Sequence, residues 1–218
     1  MHDLEELSTV HARSFHPVSP YMRRCFPNTQ RMRDWWKQVH NYAILDPELT
    51  LMVVTSKTSN GAIVAMGRWR YYPELPHQPI AVDGPAANLA RSDGDLSAGS
   101  WTLLKTCPDT DSELYDPMAV FMAETHTSLM GNRPHYLIEL VGTVHEAQGM
   151  GAGRLLLQEI NRMADQLGVE IFVETNNIVV KFYEKIGYEI QERLMMPGGL
   201  GYEEFILTRS PRSKDQKY

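Results

Sequence analysis

The order of predicted helices and strands places the chain in the mixed α/β class. The C-terminal half alternates strand, helix, strand and short helix before two closing strands, a pattern that builds a mixed sheet. Residues 135–144 (HYLIELVGTV) are apolar at nearly every position, as expected of a strand buried on both faces. A glycine-rich turn, QGMGAG at 148–153, follows this strand and opens the next helix. The unit 135–175 should be a right-handed crossover between two adjacent parallel strands.

Composition favours a folded globular protein and excludes several classes. Of the 218 residues, 43% are hydrophobic and 22% are charged, which argues against global disorder. The net charge of −6 argues against a bulk electrostatic grip on nucleic acid. Cys25 and Cys107 form no CxxC pair, so we expect no zinc ribbon, no disulfide framework and a cytoplasmic location. The N-terminus lacks a secretory pattern and no apolar run approaches about 20 residues, so no membrane partner is expected.

The N-terminal half predicts two helices and a β-hairpin. Helical spacing runs through residues 2–14 and again through about 29–45. The second helix should turn four side chains inward: Trp35, Trp36, Val39 and Ala43. Residues 16–28 contain three prolines and predict a loop. Two β-rich stretches, 51–56 and 62–72, flank an SNG turn and form the hairpin.

An insertion separates the two halves. Residues 73–116 are rich in Pro, Gly, Ser and Asp, and a loop of this length is uncommon unless it is functional or disordered. A helical pattern returns at 117–130 and ends at Gly131. We therefore expect one domain over 1–210 that contains this insertion, followed by a flexible tail at 211–218.

The elements after the glycine turn are short and regular. The first is a helix that ends at about Leu167, with Gly168 as its C-terminal signal. The others are a strand at 169–175, a helix at 178–186 and two strands at 188–194 and 202–208, joined by a Pro/Gly turn.

The glycine turn has the chemistry of an anion site. Glycines let the backbone approach a ligand, and the first N–H groups of a helix attract an anion such as a pyrophosphate. Alternatively, the glycines only allow tight packing of strand and helix. A Walker loop would need a lysine that is missing here, and Arg154 stands where a dinucleotide fingerprint has its third glycine. ATP remains a weaker alternative ligand.

The pattern Q-x-x-G-x-G after LVGTV resembles motif A of the GNAT N-acetyltransferases, which binds the pyrophosphate of acetyl-CoA in that family. Five downstream residues match the family segment N-x-x-A-x-x-F-Y-x-x-x-G-F: Asn176, Phe182, Tyr183, Gly187 and Tyr188. Val179 replaces its alanine, while His145 and Ala147 replace a frequent proline and aromatic residue. The segments NRPHYLIEL, ADQLG and FYEKIGY are similar to GNAT proteins common in fungi.

The resemblance covers about 132–190 and implies a fold and a cosubstrate. The fold is a mostly antiparallel sheet with a central parallel strand pair and helices on both faces. The cosubstrate is acetyl-CoA, and no metal is implied. Its contacts would come from eleven residues: Val141, Gly142, Thr143, Gln148, Gly149, Met150, Gly151, Ala152, Gly153, Asn176 and Phe182. The strand residues would offer backbone groups to the pantetheine arm as an added strand does. Asn176 could instead cap a helix that starts near Asn177.

Acetyl transfer requires a group that takes a proton from the amine. Glu139 is the one charge inside YLIELVGTV, and burial of a carboxylate is costly without a partner or a function. It lies nine residues before Gln148, where some GNAT members carry a base. By strand alternation it should share a face with Leu137, Val141 and Thr143. Alternatively, it faces solvent or pairs with an arginine.

Transfer also requires an acid for the leaving thiolate, and the resemblance assigns this role to Tyr183. In the family this tyrosine lies near the thioester sulfur; the alternative is a packing residue with its hydroxyl in water. Arg68 and Arg70 alternate on one strand and should face solvent or an acidic neighbour. The acidic stretch 109–116 could attract a cationic amine or form a solvated loop.

These residues predict an N-acetyltransferase that moves acetyl from acetyl-CoA to a primary amine, by direct attack in a ternary complex. The expected partner is a small-molecule amine, and the protein should be a monomer or homodimer. A module that binds CoA or acyl-CoA without turnover is the competing interpretation.

Overall fold

The computed structural model describes residues 4–58, 60–73 and 106–212, and over these it contains six helices and six strands. The helices are α1 (Leu4–Phe15), α2 (Pro20–Cys25), α3 (Gln30–Leu45), α4 (Ser112–Met130), α5 (Ala152–Leu167) and α6 (Val180–Lys185). The strands are β1 (Leu49–Thr55), β2 (Ile63–Tyr72), β3 (His135–Thr143), β4 (Glu170–Asn176), β5 (Glu189–Met195) and β6 (Glu203–Arg209). A short 3-10 turn, His145–Ala147, follows β3.

The strands form one open sheet in the order β1-β2-β3-β4-β6-β5. Every neighbouring pair is antiparallel except β3 and β4, which are parallel. Helix α5 connects these two strands, as a parallel pair requires. The predicted mixed sheet with a central parallel pair is therefore confirmed.

Helices cover both faces of the sheet. The face under α5 and α6, here called the back face, holds a cluster that includes Trp69, Ile138, Val173 and Leu207. The opposite or front face is covered by α1, α3 and α4, and α2 packs against α4. Both β3 and β4 are buried on the two sides, which is why their sequences are nearly continuous apolar runs.

Local signals set the ends of two predicted helices. The Thr29 side chain accepts a hydrogen bond from the Met32 amide and caps α3. Gly168 adopts a left-handed conformation (φ +68°) and ends α5. Within α3, Trp36 is buried as predicted, whereas Trp35 is only half-buried.

Two predicted boundaries were wrong. The predicted loop at 16–28 contains helix α2, because Ser19 accepts a hydrogen bond from the Met22 amide and Pro20 occupies the first helical position. Helix α4 begins five residues before the predicted start, with Pro117 inside it. The last residues of the predicted insertion, 112–116, are therefore helical, and so is most of the acidic stretch 109–116. Most of the insertion, and the end of the predicted tail, lie outside the described residues.

Candidate active site

The two parallel strands separate midway along β3. Their pairing runs from His135 opposite Glu170 to Ile138 opposite Val173 and then stops, although β3 continues to Thr143. On its other side, β3 remains bonded to β2 up to Thr143. The edge of β3 that faces β4 is thus open over 139–143, and backbone groups there can pair with an extended ligand.

A β-bulge lies where this opening begins. Arg68 pairs with Leu140 and Trp69 with Ile138, so Glu139 is an extra residue on β3. The bulge turns Glu139 to the front face, whereas Val141 packs against the back clusters. The prediction that Glu139 shares a face with Leu137, Val141 and Thr143 is confirmed for Leu137 alone, since strict alternation ends at the bulge.

Two arginines hold the Glu139 carboxylate. The side chain is 2% exposed, with Oε2 at 2.8 Å from Arg68 Nε and Oε1 accepting a hydrogen bond from Arg70 Nε at 3.3 Å. Arg70 also donates to Asp46 Oδ2 at 2.7 Å. Both arginines are buried, so the expected acidic neighbour is found but solvent contact is not. The guanidinium groups offset the cost of burying this carboxylate.

The glycine turn presents the uncapped start of α5 at the end of β3. Gly149 (φ +75°) and Gly151 (φ +89°) both adopt left-handed backbone conformations that other residues reach only with strain. No side chain caps α5, whose first residue is Ala152. Its first-turn amides therefore remain available for an anion, and the helix dipole favours negative charge there.

The side chains of the turn leave this amide cradle open. The Gln148 side chain donates from Nε2 to the Thr143 carbonyl at 3.2 Å, which ties the turn to the end of β3. Met150 is 78% exposed. A Cβ on Gly153 would lie 3.3 Å from Thr143 Oγ1, so a small residue is favoured where α5 passes the strand. Arg154 adds an exposed positive charge in the first turn.

Asn176 ends β4 on the other side of the opening. Its Oδ1 accepts a hydrogen bond from the Ile178 amide at 2.9 Å, and its carbonyl accepts one from the Val179 amide. Asn176 thus holds the turn before α6, whose N-cap residue is Val179. The half-buried side chain also interacts with Tyr202.

Tyr183 lies on the back face, on the short helix α6. It is 6% exposed and belongs to the cluster that contains Ile138 and Val173, the last paired residues before the opening. Its ring lies edge-on to Tyr188 at 5.2 Å and to Phe182 at 5.9 Å. Burial raises the pKa of Tyr183, so the phenol keeps its proton near neutrality and can act as a donor.

The front face also holds two carboxylates that sequence reasoning did not identify. Glu174 on β4 and Glu204 on β6 follow Glu139 across adjacent strands. Burial, and then the charge of Glu139, raise the pKa of Glu174 to about 8. Burial, and then Glu174, raise the pKa of Glu204 well above its usual value. A carboxylate inside the apolar run VEIFVET is the signal that could have identified Glu174, as it identified Glu139.

The opening therefore has three chemically distinct sides. An anion cradle lies at its end, a protonated tyrosine lies on the back face, and carboxylates lie on the front face. Such an arrangement can hold an extended molecule with a phosphate group while acid and base act from opposite sides. Within the described ranges, no three His, Cys, Asp or Glu side chains are grouped to hold a metal ion. None of the described helices is both long and apolar enough to span a membrane.

Comparison with known proteins connects this geometry to a family. Residues 118–190, from within α4 to the start of β5, match the family model described as an acetyltransferase (GNAT) domain. No curated protein sequence matches the chain significantly.

Solved structures share the fold at low sequence identity. A variant of agmatine N-acetyltransferase in its apo form is 13% identical, with a TM-score of 0.59, over 95% of this chain and 94% of that one. A Corynebacterium glutamicum protein described as histone acetyltransferase HPA2 and related acetyltransferase is 16% identical, with a TM-score of 0.57, over 98% and 94%. A mosquito arylalkylamine N-acetyltransferase like 5b is 13% identical, also with a TM-score of 0.57, over 95% and 94%.

Proposed function

We propose that this chain, which matches the GNAT acetyltransferase domain over residues 118–190, transfers an acetyl group from acetyl-CoA to the primary amine of a small molecule. One observation carries the proposal: the open edge of β3 leads directly to the uncapped start of α5. A backbone edge suits the pantetheine arm, and the helix start suits the diphosphate.

We propose that the eleven residues predicted from the sequence contact the cosubstrate along this path. Gln148, Gly149, Met150, Gly151, Ala152 and Gly153 would surround the diphosphate. Val141, Gly142 and Thr143 would pair with the pantetheine arm through their backbone groups. Asn176 and Phe182 would bound the path from the β4–α6 side. The fit rests on backbone amides and small residues, so no metal is needed to neutralise the phosphates.

The reaction forms a nitrogen–carbon bond as the carbon–sulfur bond of the thioester breaks. The amine would approach from the front face and pass its proton toward Glu139. Because two guanidinium groups hold that carboxylate, a water molecule would carry the proton between amine and Glu139. Tyr183 would donate its phenol proton to the leaving thiolate from the back face and regain a proton from solvent.

Two of the structural neighbours support a small amine as acceptor. They are described as acting on agmatine and on arylalkylamines. Such acceptors are cations in solution and would meet carboxylates on the front face, as charge complementarity favours. The placement of Tyr183 and the carboxylates on opposite sides of one opening supports direct attack in a ternary complex.

A panel of primary amines with acetyl-CoA, scored by release of the free thiol, tests the proposal. Tyr183→Phe removes only the hydroxyl and should lower turnover about 100-fold while CoA binding is retained. Tyr188→Phe is the matched control, because this ring packs in the same cluster and its hydroxyl donates to Asn161 Oδ1 at 2.8 Å. That variant should lose about 1 kcal/mol of stability and keep its turnover.

Two results would count against this function. Unchanged thiol release in Tyr183→Phe would remove the tyrosine from the reaction. Tight CoA binding without thiol release for any amine would instead favour a module that binds CoA without turnover.

A further inference from the structure

Three carboxylates on the front face differ in how their charge is balanced. Glu139, Glu174 and Glu204 lie on the adjacent strands β3, β4 and β6. Arg68 and Arg70 form ion pairs with Glu139. Arg70 also forms an ion pair with Asp46. Among the described residues, no cationic side chain pairs with Glu174 or Glu204. The carboxyl groups of Glu174 and Glu204 are thus left without a cationic partner in the described part of the chain.

The Glu204 carboxyl group has a hydrogen bond with the Tyr202 side chain but no cationic partner among the described residues. The residue is 4% exposed, and its Oε2 has no hydrogen-bond partner within the described part of the chain. Burial of a carboxylate without compensation is costly, so such a group stays neutral or awaits a cation. Glu204 lies opposite Asn176 in the β4–β6 ladder, and Glu174 lies opposite Ile206, so the two carboxylates are diagonal neighbours on one face.

Tyrosine side chains lie near both carboxylates. Tyr202 stacks on Tyr21 with centroids 4.6 Å apart and planes 5° apart, and the Tyr202 hydroxyl lies beside Glu204. Tyr72 and Tyr115 both lie close enough to Glu174 to feel its charge. Carboxylates among aromatic rings are the chemistry that recognises alkylammonium groups, because the ring faces also attract cations.

From this charge count we infer that the acceptor is an alkyl diamine, with its reacting amine beside Glu174 and its second ammonium group bound by Glu204. This inference rests on the proposed function, since Glu174 borders the opening where acetyl would lie. Two ammonium groups would supply the cationic partners that the described residues do not, and each carboxyl group would give up its proton when its ammonium partner binds. An acceptor with a carboxylate would instead place that group beside Glu204, where no described cationic side chain would pair with it.

Three small probes of similar length separate the possibilities: diaminobutane, butylamine, and the aminobutanoate with amine and carboxylate at opposite ends. Their binding to CoA-saturated protein is measured by calorimetry, together with thiol release from acetyl-CoA. Diaminobutane should bind wild-type protein more tightly than aminobutanoate by about tenfold or more, with butylamine between them. Glu204→Gln should reduce that ratio to about threefold or less. Glu203→Gln, the neighbouring carboxylate on the opposite face of β6, should leave it unchanged.

The outcomes distinguish the inference from the function on which it rests. No diaminobutane binding, or an unchanged ratio in Glu204→Gln, would overturn the diamine site. Thiol release with aminobutanoate preferred over diaminobutane would do the same while leaving acetyl transfer intact. Selective diaminobutane binding without thiol release would support the site and count against acetyl transfer. If Glu204→Gln fails to fold, Glu204→Asp, which withdraws the carboxyl group by one methylene, tests the same ratio and should also reduce it.

Discussion

The substitution Glu174→Gln should change how stability depends on pH. Burial and the charge of Glu139 raise the pKa of Glu174 from 4.5 to about 8 in the folded protein. The folded state therefore holds this proton more tightly than the unfolded state does. Its contribution to stability is fully present below pH 4.5 and is lost as the pH rises through about 8.

The magnitude follows from the two pKa values. Between about pH 6 and about pH 9, linkage predicts a loss of about 3 kcal/mol in the free energy of unfolding from this group. Gln keeps the size of the side chain but cannot ionise, so the Glu174→Gln variant should lack that loss. Urea unfolding of both proteins at the two pH values measures the difference, with Glu203→Gln as the control for removal of one carboxylate.

A parallel pH dependence in wild type and Glu174→Gln, within about 0.5 kcal/mol, would refute the reasoning, since the group would then not be desolvated. A steeper loss in the variant would do so as well. Either result would also weaken the picture of an uncompensated carboxylate pair on the front face.

Three other changes have defined outcomes. Gly151→Ala should strain the left-handed turn by about 1–2 kcal/mol and weaken CoA binding about tenfold by calorimetry, whereas Gly168→Ala, equally strained at the far end of α5, should leave CoA affinity unchanged. Glu139→Gln should destabilise the fold by about 3–5 kcal/mol in urea, because it leaves buried guanidinium groups unpaired; a loss below about 1 kcal/mol would contradict the ion pairs. Burial lowers the pKa of His40 and of His126 to about 3 each, so these groups add stability above pH 6.5. This stability is lost on acidification by up to about 1.4 kcal/mol per pH unit for each group. His40→Phe should therefore reduce the pH dependence of the free energy of unfolding below pH 6.5, and an unaltered slope would contradict the burial of His40.

Local sequence patterns predicted the structure correctly wherever the residues that determine a feature lie on one continuous segment. The strand at 135–144, the glycine turn and the helix that ends at Gly168 were predicted within a residue or so of their observed bounds. The β1–β2 hairpin was also predicted, although β1 begins at Leu49 rather than at residue 51. The parallel pairing of β3 with β4 was predicted as well. These features depend on periodicity, on glycine conformation and on the geometry of crossover connections, all of which act over short stretches of chain.

Prediction failed where a distant element or a local irregularity decided the outcome. The prolines at 16–28 favoured a loop, yet Ser19 and Pro20 form a helix start. Strict alternation along β3 predicted that Glu139 and Val141 lie on the same face of the sheet. The bulge in the β2–β3 pairing puts them on opposite faces. A bulge depends on pairing with another strand, so a single strand pattern does not encode it.

At the candidate site, too, the sequence predicted some residues and only the tertiary structure identified others. The sequence alone was enough to locate the glycine turn at the start of α5, because its glycines and the helix that follows are contiguous. It was also enough to mark Glu139 and Tyr183 as chemically unusual. Only the tertiary structure brought Glu174 and Glu204 into one row with Glu139 and, among the described residues, gave cationic partners to Glu139 alone. Charge balance is a sum over residues distant in the chain, and it is known only once the strands are ordered in the sheet.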